Sequence, residues 1–87
     1  VYFARALVED DGVRYPQPVA LAIADGARPV RAWREYRRLT QEQLAAASGV
    51  SKPYISQLES GARSGTAATL RKLAAAMDIP VGALIED

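Results

Sequence analysis

Among the apolar residues between positions 51 and 60, the sequence sets Lys52, Pro53, Ser56, Gln57 and Ser60 at a spacing that has chemical consequences. On a helix turning by about 100° per residue, these five side chains share one arc of about 140°, and Tyr54, Ile55 and Leu58 fall on the other side. The polar arc holds short side chains and no acid. A helix carrying such an arc fits the major groove of DNA, where its side chains reach the donor and acceptor edges of bases. Gln57 has the amide geometry to pair with adenine, and Lys52 the length to reach guanine or a phosphate, each contact giving about 1–3 kcal/mol of discrimination. Pro53 has no donor to offer and is limited to apolar contact, as with a thymine methyl. A solvated helix face is the plain alternative, and the register of the flanking residues weighs against it.

Other chemistry is poorly provided for. The 87 residues contain no histidine and no cysteine, which removes disulfides, Cys/His zinc sites, thiol nucleophiles and imidazole bases together. Glu35, Glu42 and Glu59 lack metal-ligand spacing, and helix-capping serines are not nucleophiles without a base. No catalytic residue, metal or cofactor is therefore expected, and the chain reads as a non-enzyme. The longest uncharged stretch, residues 16–24, is far shorter than the ~20 residues of a bilayer span and lacks a signal peptide's basic segment. A cytoplasmic setting with no membrane partner is the expectation. Val1 in place of an initiator methionine suggests processing or a boundary.

The formal net charge is only +1, but the charges are unevenly placed. Residues 29–72 carry eight basic side chains (Arg31, Arg34, Arg37, Arg38, Lys52, Arg63, Arg71 and Lys72) against Glu35, Glu42 and Glu59, a local charge of +5. Acidic ends thus conceal a basic centre of the kind that can lie beside phosphates. Arg31, Arg37 and Arg38 are expected to be solvated.

The elements that must position this arc follow from local punctuation. Pro29 suits the first turn of a helix, and Val30, Trp33 and Tyr36 follow as an apolar stripe, so a helix is expected over residues 29–39, with Trp33 in the core or at an interface. Thr40 and Gln43 form a capping box for a helix over residues 41–47. Gly49 ends it, Ser51 caps the helix Lys52–Ser60, and Gly61 stops that one. Ser64 or Thr66 opens a helix over residues 66–77, and Pro80 starts a last one over 81–85 whose Leu84 and Ile85 close the core. The expected architecture is mainly α, with five helices in residues 29–87. Ahead of it, residues 1–28 read as two extended pieces, 1–8 and 13–15, around the turn Asp10-Asp11-Gly12, then a short helix over 19–24. A lone hairpin is marginal in water, so this N-terminal segment is expected to contact a second copy or another protein.

Within this frame Leu44, Val50, Ile55 and Leu58 fill the wedge between two helices crossing at a steep angle, Ala45 stays small where they approach, and Gly49 makes the turn. The stretch LTQEQLAAASGVSKPYISQLESGAR, in a likeness running from Val30 to Ile85, resembles the lambda-repressor-like (Cro/repressor, XRE) helix-turn-helix family. The resemblance implies a five-helix domain and a homodimer on a palindromic operator in double-stranded DNA. It implies base contacts from Lys52, Pro53, Ser56 and Gln57 and a phosphate contact from Gln41. Ser51, opening the same helix, and Arg63, in the loop that follows, are added as phosphate contacts. A salt bridge between Arg34 and Glu59 is also implied, and an acid at the edge of the buried arc would need such a cation. The longer likeness, including the N-terminal segment, is similar to antitoxins that repress their own operon and neutralise a small toxin, here held through residues 1–28 and the strand edge they offer. A stand-alone regulator, and a protein-binding module of the same fold without DNA binding, are the alternatives.

Overall fold

A computed structural model describes residues 15–85. Apart from Tyr15, the extended pieces expected near the N-terminus lie outside the described residues. The helices are α1 (Gln17–Ala24), α2 (Pro29–Tyr36), α3 (Gln41–Ser48), α4 (Lys52–Ser60) and α5 (Ala67–Met77), followed by one 3-10 turn, Val81–Leu84. Among the described residues there is no strand. None of the described helices is long and apolar enough to cross a membrane.

Prolines and polar caps set where the helices begin. Pro18 and Pro29 occupy the first turns of α1 and α2, where a missing N–H costs nothing. Thr40 accepts from the Gln43 N–H at 3.0 Å while the Gln43 side chain accepts from the Thr40 N–H at 2.8 Å, a complete capping box for α3. Ser51 caps α4 by accepting from Tyr54 N–H at 3.3 Å, and Thr66 caps α5 by accepting from Thr69 N–H at 3.2 Å. The turn between α3 and α4 depends on Gly49 at φ 77°, a left-handed conformation that a side chain would oppose.

Two helices end differently from the sequence expectation. The helix from Pro29 stops at Tyr36 instead of Leu39, because Arg38 turns left-handed at φ 59° and Thr40 must be extended to cap α3. Such a conformation costs a non-glycine residue about 1 kcal/mol, offset here as Arg34 Nη1 donates to the Leu39 carbonyl at 2.8 Å. The last expected helix is a single 3-10 turn. Its Leu84 is buried, but Ile85 follows in extended conformation and is 56% exposed, so it does not close the core.

The core is one cluster to which every described helix contributes. Val19, Leu44, Ile55 and Leu73 are fully buried, each contributing about 2 kcal/mol relative to exposure. α3 packs on both α4 and α5, and α1 on α2. Trp33, 3% exposed, stacks between Tyr15 (5.8 Å) and Tyr36 (6.0 Å, edge-on), and its indole N–H has no acceptor among the described residues. Arg37 is not simply solvated: its Nε donates to the Met77 carbonyl at 2.9 Å, tying the end of α2 to the C-terminus of α5, where a cation is favoured.

Candidate nucleic-acid interface

α3 and α4 are joined by the Gly49-Val50-Ser51 turn, and α4 lies with Ile55 and Leu58 inward and Lys52, Pro53, Ser56, Gln57 and Ser60 outward. α4 itself places no acidic side chain on that outward face. Ser51, at the start of α4, is exposed too, and its hydroxyl is engaged as the cap.

Beside this face, a carboxylate organises three elements. Glu59 Oε2 accepts from Arg34 Nε at 2.7 Å, and Oε1 accepts from Arg34 Nη2 at 3.0 Å and from Gln41 Nε2 at 3.1 Å. With side-chain exposures of 12% for Arg34 and 6% for Glu59, the pair is shielded, and its fork geometry is the strong two-pronged form. Hydrogen bonding to Glu59 holds the Arg34 guanidinium above its ordinary range, against the desolvation that lowers it, with the Glu59 and Glu35 charges adding to the rise. Arg34 is thus a fixed cation on α2 that locks α4, and the same carboxylate orients Gln41 at the N-terminus of α3. Ser56 joins Gln41, Glu59, Ser60 and Arg31 around a shallow polar cleft of about 270 Å³.

The remaining site residues have partners that sequence spacing does not reveal. Lys52 Nζ lies 2.8 Å from Glu42 Oε2, an exposed pair spanning the turn. That hydrogen bond, with one from backbone and the Lys52 charge, holds the Glu42 carboxyl below the usual glutamate range. Arg63 Nε donates to Gln57 Oε1 at 2.8 Å, its backbone N–H donates to the Gln57 carbonyl at 3.2 Å, and its guanidinium sits 4.8 Å above the Tyr54 ring. Tyr54, assigned to the buried side by the helical wheel, is half-buried, with one ring face toward this arginine. The structure therefore groups Gln41 and Ser56 around Glu59, and Gln57 with Arg63. Lys52 sits with Glu42, and Pro53 projects into solvent. Glu42 and Tyr54 are the residues that sequence reasoning missed, and only their place in the three-dimensional arrangement identifies them.

This arrangement offers hydrogen-bonding side chains on a protruding helix, with an oriented amide at the start of its neighbour. Residues 30–84 match the family described as helix-turn-helix. Among curated proteins, the transcriptional repressor RghR of Bacillus subtilis is 49% identical over 57 residues, covering 64% of this chain and 42% of that protein. The control protein C.SmaI of Serratia marcescens is 41% identical over 59 residues, covering 68% of this chain and 70% of the other. An uncharacterised regulator of Sinorhizobium fredii, y4dJ, is 46% identical over 46 residues, covering 53% of this chain and 60% of its own length. This chain thus spans less than half the length of RghR and a larger share of the other two. With the family matched over most of the chain and the α3–turn–α4 geometry in place, this protein belongs to the helix-turn-helix family.

Proposed function

We propose that this chain is a sequence-specific DNA-binding transcriptional repressor that inserts α4 into the major groove. The observation that carries the reading is the outward face of α4, where Lys52, Pro53, Ser56 and Gln57 are all exposed with no acid of their own helix among them. In this reading these four side chains meet base edges, while Gln41, Ser51 and Arg63 meet phosphates. The functional domain is residues 29–87, and two copies bind a palindrome, as a homodimer matches operator symmetry. The likeness to RghR, a transcriptional repressor, and to C.SmaI, a control protein, supports a regulator. Selection from a randomised duplex pool tests it: the chain should enrich one palindromic sequence, and Lys52→Ala with Gln57→Ala should abolish the enrichment. Equal retention of all sequences by the wild type would sink the reading.

A finer reading makes the protein an antitoxin whose residues 1–28 also hold a small toxin; its support is the likeness of that longer stretch to antitoxins. Purification from the native cell would then bring down a small basic protein that is lost on deleting residues 1–15. The names of the relatives favour the stand-alone regulator, and a chain that always purifies alone would decide for it.

A further inference from the structure

We propose that Arg63 sets the base preference of Gln57, converting its side chain from an adenine reader into a guanine reader. The inference rests on the reading of α4 as the groove-entering helix and goes beyond it by naming the base and the residue that decides it.

A glutamine reads adenine with both ends of its amide, accepting from the adenine amino group through Oε1 and donating to N7 through Nε2. Here Oε1 of Gln57 already accepts from Arg63 Nε at 2.8 Å. One lone pair remains on that oxygen, but it lies beside a guanidinium that is always charged and has donors only. An adenine amino group would bring a second set of positive hydrogens to this position. Apart from that lone pair, what the Gln57 amide has left to offer a base is its two N–H groups, both donors. Guanine presents two acceptors, O6 and N7, on its major-groove edge, so the linked pair complements guanine and opposes adenine.

Arg63 is also held in place for this role. Its backbone donates to the Gln57 carbonyl at 3.2 Å, which fixes the loop after α4, and its guanidinium rests 4.8 Å above the Tyr54 ring. An arginine stacked on one side chain of α4 and hydrogen-bonded to another has already lost much of its rotamer freedom, so little further ordering is needed on binding. Arg63 and Gln57 are both exposed, so neither is needed to complete the core. Arg63 is therefore a positioning residue that acts through Gln57.

Selection from randomised duplexes should be run with the full chain as wild type, Gln57→Ala, Arg63→Met and the double variant. The position at which Gln57→Ala alone relaxes the preference is the one Gln57 reads. There the wild type should favour G·C over A·T by about tenfold, within the range of a good paired contact, and Arg63→Met should reverse the order. In the Gln57→Ala background Arg63→Met should change nothing at that position, and all four proteins should melt alike. A wild type that favours any other pair there, or an Arg63→Met variant that keeps G·C, overturns the proposal. So does a selected sequence at which Gln57→Ala relaxes no position. A wild type that enriches no sequence at all overturns the reading of α4 itself.

Discussion

Gln41 and Glu59 meet across the turn between α3 and α4, the Gln41 amide donating at 3.1 Å to a carboxylate that also accepts two hydrogen bonds from Arg34. The residue that fastens α4 to α2 thus also aims the side chain at the start of α3, so stability and the proposed DNA contact of Gln41 are linked through one carboxylate. Glu59→Ala would leave the shielded Arg34 cation with only the looser Glu35 carboxylate at 3.9 Å and the Leu39 carbonyl, a loss of about 3 kcal/mol. Thermal denaturation should register it as a fall in melting temperature of about 15 °C for a domain of this size. Replacing both partners by apolar residues, Arg34→Met with Glu59→Leu, should restore much of the stability while DNA affinity stays low, because Gln41 has lost its anchor.

The exposed Glu42–Lys52 pair leads to an expectation about pH. The folded protein holds the Glu42 carboxyl below its ordinary range, so the pair stabilises the fold above the unfolded-state value, and the contribution is lost as pH falls through the folded-state value. The melting temperature of the wild type should therefore exceed that of Glu42→Gln slightly at neutral pH, and the two should converge in acid. Salt should also close the gap, since both side chains are at least half exposed.

The same pair bears on DNA binding. If α4 enters the groove, Glu42 competes with DNA for Lys52, so Glu42→Gln should tighten binding and steepen the log-log salt dependence by up to about one, as one more cation becomes available to the polyanion. Fluorescence anisotropy across a salt series measures both quantities. An unchanged slope would mean that Lys52 stays with Glu42 in the complex.

Gly49 separates conformational strain from packing. A Cβ there would meet nothing within 4 Å, yet its φ of +77° disfavours any side chain. Gly49→Ala should thus cost about 1 kcal/mol by denaturant titration without a packing defect. Leu44→Ala, in the fully buried wedge, should cost about 3 kcal/mol by leaving a cavity.

The features legible in the sequence are the local ones. Thr40 with Gln43, Ser51 and Gly49 act within a few residues of themselves, so their roles follow from spacing alone, and the apolar wedge of Leu44, Ile55 and Leu58 follows from helical periodicity. The left-handed turn at Arg38 was not legible, because no glycine marks it and only the extended cap at Thr40 requires it. The outward course of Ile85 was hidden by the assumption of an α-helical phase, where a 3-10 turn followed by extended chain changes which side chain faces in. The link from Arg37 to the Met77 carbonyl spans 40 residues. Lys52 with Glu42, and Arg63 with Gln57 and Tyr54, likewise depend on how loops and long side chains settle once the helices are packed. The exposed face of α4 was therefore visible in advance, and the partners that condition its chemistry were not.

The most direct test of α4 as the reading helix is an amide NMR titration of the labelled chain with the duplex it selects. Shifts should concentrate at Gln41 and Glu42, at Ser51, Lys52 and Tyr54 through Gln57, and at Arg63, with α1 and the exposed face of α5 little changed. Shifts confined to α1 or α5, with residues 51–57 unmoved, would contradict it.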